Sequence, residues 1–141
     1  MVDKTDNNPL EELFTDSGSQ IEPASFVALL KPFLRINREN RRILFTPLGM
    51  TITASNKIIL FILARRVTHL QGLSESDSVM PKEIKEELGK NIPSGTIDAT
   101  LKRLSERGPL KGQGGKYFIP DFNFPQVQEI FSKLSGENYG R

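Results

Sequence analysis

A chain of 141 residues with 37% hydrophobic and 26% charged side chains has the size and balance of one globular domain. It has no cysteine, which excludes a disulfide framework and a thiolate metal site and fits a reducing cytoplasm; its longest apolar run, Ile58–Ala64, is far too short to span a bilayer, so no membrane partner is expected. The formal net charge is only +2, but residues 1–25 hold one basic and six acidic side chains, residues 26–70 eight basic and one acidic, and residues 71–141 ten of each.

Residues 1–20 lack periodicity and are rich in Asp, Asn, Glu and Ser, as in a disordered acidic tail without the apolar core of a secretion signal. Within them Leu10, Leu13 and Phe14 have the spacing of one helical turn that a partner could hold. Pro23–Leu30 reads as a short helix with Phe26, Leu29 and Leu30 on one face, stopped by Pro32. Phe33–Asn37 and Arg42–Thr46 alternate in part and flank Arg38-Glu39-Asn40-Arg41, which predicts a β-hairpin with an arginine-rich tip. Those arginines suit phosphates, and equally suit a solvated edge that resists aggregation. Ser55–Gln71 predicts a helix that is apolar all round over Ile58–Ala64 and therefore buried on several sides. Arg65, Arg66 and His69 fall near its negative dipole end, Gly72 ends it, and Leu73–Val79 reads as a polar loop.

Pro81–Leu88 has proline at the first helical position, Ile84 and Leu88 four apart, and Gly89 just beyond. Ser94–Arg107 follows, with Ile97, Leu101 and Leu104 on one stripe, Ser94 as the expected N-cap and Gly108 as an expected left-handed cap. Its other side carries Gly95, Thr96, Ala99, Lys102, Arg103 and Glu106: small toward the N-terminus and mostly basic beyond. Two helices joined by a short turn make a helix-turn-helix pattern. Leu110-Lys111 and Lys116–Ile119 read as short strands around a Gly112–Gly115 loop.

A helix-turn-helix followed at once by a basic, Gly-rich hairpin resembles the winged helix-turn-helix family of DNA-binding domains. The resemblance is carried by PSGTIDATLKRLSERGPLKGQGGKYFI and covers about 60 residues, from near Ser55 to Ile119. Pro109 departs from it, standing where such sequences usually place a larger apolar residue before the wing strand. The resemblance implies that the second helix enters the major groove and that the hairpin, the wing, meets phosphate or the adjacent minor groove. On that reading Ser94, Thr96, Ala99, Lys102, Arg103 and Arg107 of the helix, with Lys111, Gln113 and Lys116 of the wing, form the DNA-binding surface.

After Asp121–Phe124, a final helix is expected over about Pro125–Leu134, with fraying from residue 135. Val127, Ile130, Phe131 and Leu134 form its apolar stripe, which either covers the core or pairs with a second copy or another protein; packing within the chain is favoured.

Enzyme signatures are missing. His69 is the single histidine and has no neighbouring pattern of a base or ligand, and the Gly112–Gly115 cluster lacks the Lys-Ser/Thr of a phosphate-binding loop. Glu83, Glu86 and Glu87 read as a solvated helix face. No catalytic residue, metal or cofactor is expected. The sequence therefore predicts a mainly α chain with small β (α+β): an acidic tail (1–20), a helix and basic hairpin (21–54), a winged helix-turn-helix core (55–120) and a C-terminal amphipathic helix (121–141). The function expected is duplex DNA binding, as a transcriptional regulator or as the DNA-binding subunit of a larger assembly. The alternative is a protein-docking winged helix, an accessory subunit without direct DNA contact.

Overall fold

Seven consecutive apolar residues on a helix point in every direction, so no single face can bury them. The computed structural model, which describes residues 9–13 and 21–139, resolves this by packing other elements around that helix. It is α3, Ala54–Leu70, and all of Ile58–Ala64 are at most 4% exposed. The Thr53 side chain accepts from the Asn56 N–H at 3.2 Å to start it, and Gly72 turns the chain away at φ +75°, in the left-handed region where glycine is favoured.

Ahead of α3, helix α1 spans Pro23–Leu30 and buries Phe26, Leu29 and Leu30, as expected. Strands β1, Leu34–Ile36, and β2, Ile43–Phe45, form the antiparallel hairpin with Leu34 opposite Phe45 and Ile36 opposite Ile43. The strands are shorter than the sequence suggests because Asn37 begins the turn. Its side chain accepts from the Glu39 and Asn40 N–H groups at 2.9 and 3.1 Å, and Arg41 follows at φ +60°.

A short helix that the sequence reading lacked, α2, spans Pro47–Thr51. Thr46 caps it by accepting from the Gly49 N–H at 3.1 Å, and its hydroxyl donates to the Pro32 carbonyl at 2.7 Å. Gly49 is a packing requirement, since a Cβ there would lie 2.0 Å from the Phe33 carbonyl oxygen.

Helices α4, Pro81–Leu88, and α5, Ser94–Arg107, form the helix-turn-helix pair. Ile84, Leu88, Ile92, Ile97, Leu101 and Leu104 are buried together with Ile58, Leu60 and Leu63 of α3. Two expectations at the ends of α5 are corrected. Ser94 is the first helical residue and makes no cap; the cap position is Pro93, whose carbonyl accepts from the Ile97 N–H at 3.0 Å. Gly108 is extended, at φ −117° and ψ −158°, instead of left-handed. Its role is close approach: a Cβ would meet the Leu104 carbonyl oxygen at 3.0 Å, the same oxygen that accepts from the Gly108 and Leu110 N–H groups.

Strands β3, Lys111–Gln113, and β4, Lys116–Phe118, pair with Gln113 opposite Lys116. The loop between them is two residues, shorter than the expected Gly112–Gly115. Gly114 and Gly115, at φ +61° and +80°, supply the consecutive positive φ values that a tight hairpin turn requires. The segment read as a polar loop ends in Val79, which pairs with Tyr117 through two hydrogen bonds of 2.8 Å and extends the hairpin by one residue of a third strand.

Helix α6 runs Phe124–Tyr139, beyond the expected end near Leu134. Residues 135–139 contain no proline, and Gly136 weakens a helix by only about 1 kcal/mol. Val127 and Phe131 are buried, and the stripe packs within the chain: the Phe26 and Phe124 rings are 5.2 Å apart, and the Phe33 and Phe131 rings 5.4 Å apart edge to face. The fold is α+β, mostly helical with two separate two-stranded antiparallel sheets among the described residues. No helix among them is long and apolar enough to cross a membrane.

Leu101 is 1% exposed and sits where α3, α4 and α5 meet. Leu101→Ala should lower the unfolding free energy by about 2–5 kcal/mol, read from urea titrations of both proteins. A shift near zero would show that the side chain is not in the core.

Candidate nucleic-acid interface

Burial of Ile97, Thr100, Leu101 and Leu104 fixes the rotation of α5. The face left to solvent carries Ser94, Gly95, Thr96, Ala99, Lys102, Arg103, Glu106 and Arg107, all exposed. Lys111, Gln113 and Lys116 are exposed as well. Alternation along the strands, with Gln113 opposite Lys116, puts these three on one face of the hairpin and Tyr117 on the other. Every residue anticipated for the surface is thus accessible, and all belong to α5 and the hairpin that follows it.

Arg103 is the one whose role changes. Its guanidinium donates to Ser55 Oγ at the start of α3, so it ties α5 to α3 in addition to lying on the outer flank. Lys102, Arg107, Lys111 and Lys116 form no salt bridge among the described residues and remain available to a polyanion. Gly95 is informative in another way. A Cβ built there meets no atom within 4 Å, so packing inside the chain does not require its small size. The surface at the start of α5 therefore carries no side chain at this position.

Ion pairs set the orientation of this surface. Arg65 of α3 forms a forked pair with Glu83 of α4 at 3.1 and 3.4 Å, and donates to the Ser78 carbonyl at 3.2 Å. Glu83 also accepts from the Met80 N–H at 2.8 Å, closing the first turn of α4. Lys85 of α4 reaches Asp98 of α5 at 2.9 Å, which neutralises the one acidic side chain in the N-terminal half of α5. Glu83 is therefore not the solvated charge that its spacing suggests. Glu87 is not either, since its carboxylate accepts from the Ile43 N–H and joins α4 to the N-terminal hairpin. Arg66 pairs with Asp121 at 2.6 Å and Asp77 at 3.7 Å, and His69 Nδ1 donates to the Ser74 carbonyl at 3.0 Å, so each holds a loop in addition to any effect on the dipole of α3.

The sequence reading also passed over Phe122, which is 82% exposed. Its neighbours hold it outward: Asp121 is bound to Arg66, and the Asn123 side chain donates to the Pro109 carbonyl at 2.9 Å. Phe122 shares a recess with Lys111, Gln113 and Gly114, which brings an aromatic ring beside the hairpin. Among the described residues no three His, Asp or Glu side chains converge to hold a metal.

Partial burial raises the pKa of Glu83, but the Met80 N–H, the Arg65 guanidinium and the more distant Lys116 outweigh it and hold the carboxyl below its ordinary 4.5. A lowered folded-state pKa stabilises the fold fully above the unfolded value and loses that effect as pH falls through the folded value. Glu83→Gln should therefore be less stable than wild type at neutral pH, with the gap narrowing below pH 4.5, read from urea midpoints across pH. A gap independent of pH would mean that the charge of Glu83 does not matter. Comparison of the chain with protein-family models, curated proteins and solved structures finds no match in any of the three.

Proposed function

We propose that this protein binds duplex DNA as a winged helix-turn-helix, acting as a transcriptional regulator or as the DNA-binding subunit of a larger assembly. The observation that carries this reading is the outer face of α5. It is small where a helix would meet the groove floor, at Gly95, Thr96 and Ala99, and cationic where its flanks would meet phosphates, at Lys102 and Arg107. Thr96 and Ala99 are the candidates for base edges and the thymine methyl, and Lys111 and Lys116 of the hairpin meet backbone only. Gln113, on the same hairpin face, is the wing residue able to read a base edge.

The test is fluorescence anisotropy with a labelled duplex at two salt concentrations, with circular dichroism of each variant. Wild type should bind at low salt and weaken steeply as salt rises, because released counterions supply the non-specific affinity. Lys111→Ala should weaken binding to all duplexes alike and reduce the salt slope by about one. Lys102→Glu with Lys111→Glu should abolish binding with the fold intact, since neither side chain forms a salt bridge among the described residues. Gly95→Ala should leave stability unchanged or raise it by up to about 1 kcal/mol, yet weaken duplex binding by crowding the approach. Absence of duplex affinity at low salt would overturn the proposal and leave docking to an acidic protein as the reading of this face.

A further inference from the structure

A groove of about 660 Å³ runs beside α1, on a part of the chain remote in sequence from α5 and the wing. Val27, Leu30, Leu34 and Leu70 line it, with Lys31 and Arg35 among its borders. Val27 and Leu70 are 56% and 46% exposed, so apolar surface stands open to water there. Neither Lys31 nor Arg35 forms a salt bridge among the described residues. Such a groove, apolar inside with cations at the border, fits a short amphipathic segment that is apolar on one side and acidic on the other.

The chain contains that segment. Residues 10–14 read Leu-Glu-Glu-Leu-Phe, with Leu10, Leu13 and Phe14 at the i, i+3, i+4 spacing of an anchor face and Glu11 and Glu12 between them. Pro9–Leu13 already forms a 3-10 turn, and Leu10 and Leu13 are 63% and 80% exposed. The tether is short. Ile21 borders the groove, and the eight residues from Leu13 to Ile21 reach at most about 28 Å, enough for the segment to fold back beside its own anchor. A short tether gives an effective concentration of about millimolar, which favours the chain's own segment over one from another copy.

We propose that the acidic segment Pro9–Leu13 docks into the groove beside α1 of its own chain, with Leu10 and Leu13 entering it. This contact is independent of DNA binding by α5.

The chain has no cysteine, so Asn8→Cys introduces a sole thiol for a nitroxide label on the full-length protein. The readout is the amide spectrum of isotope-labelled protein with the nitroxide oxidised and then reduced. The label should remove intensity from the amides of Val27, Lys31, Arg35 and Leu70 and leave Gly112–Gly115 untouched. Adding Leu10→Ser and Leu13→Ser should restore the lost intensity; both side chains are exposed, so the fold should survive, as the dispersion of the remaining amides will verify. Undiminished signals along α1 would overturn the proposal, as would loss centred on α5 or loss that survives the double serine change. A mixture of spin-labelled protein without isotope and isotope-labelled protein without spin label should show no loss. Loss in that mixture would identify a second copy as the source of the segment and overturn docking within the chain.

Discussion

The fold depends on one constraint: α3 cannot present its seven-residue apolar run, Ile58–Ala64, to a single neighbour. A helix buried all round needs elements on every side, and the chain supplies them from both ends of the sequence. α1 and α6 cover part of α3, joined by the Phe26–Phe124 rings and by Phe33, just beyond α1, against Phe131, and α4, α5 and the hairpin supply the rest of the core around it. At about 25 cal/mol per Å² of buried apolar area, this packing is the main force holding the helix-turn-helix pair. The ion pairs between helices add direction more than strength, because partly exposed pairs contribute little net free energy. Arg65–Glu83 sets where α4 begins relative to α3, and Lys85–Asp98 sets α5 relative to α4.

Most helices were legible because their period is strong. The apolar spacing in α1, α4 and α5 identifies the inward residues, and each is buried in the structure. What was not legible traces to interactions with no periodic signature. α2 rests on Thr46 capping and on the approach of the Phe33 carbonyl to Gly49; only the Thr-Pro pair at its start hints at it. The single-residue strand at Val79 has no pattern at all, because one pair of hydrogen bonds to Tyr117 defines it. The ends of α5 misled because Ser94 and Gly108 are residue types favoured at caps, yet Pro93 takes the N-cap position and Gly108 ends the helix in extended geometry.

The candidate surface was legible to the extent that helix phase determines it. Knowing that Ile97, Leu101 and Leu104 face inward leaves Thr96, Ala99 and Lys102 facing outward. Sequence could not show which polar side chains the fold already engages. Glu83, Glu87 and Arg103 look like ordinary surface charges, but their partners Arg65, Ile43 and Ser55 lie 18, 44 and 48 residues away. Phe122 was missed for the converse reason: an aromatic between Asp121 and Asn123 reads as core until the bonds made by those neighbours turn it outward.

The Val79–Tyr117 pairing has a consequence for motion. A two-stranded hairpin is at best marginally stable alone in water, and the β3–β4 ribbon is stitched to the body's backbone by two hydrogen bonds at one position. Tyr117 also packs against the core, and Leu110 and Ile119 at the two ends of the ribbon are buried, so its base is anchored and its exposed part is the stretch from Lys111 to Lys116. Local opening therefore costs least at the Gly114–Gly115 turn, where no buried side chain has to leave the core. A surface built from α5 and this ribbon thus has a fixed floor, the helix and the ribbon's base, and its freedom lies in the turn alone.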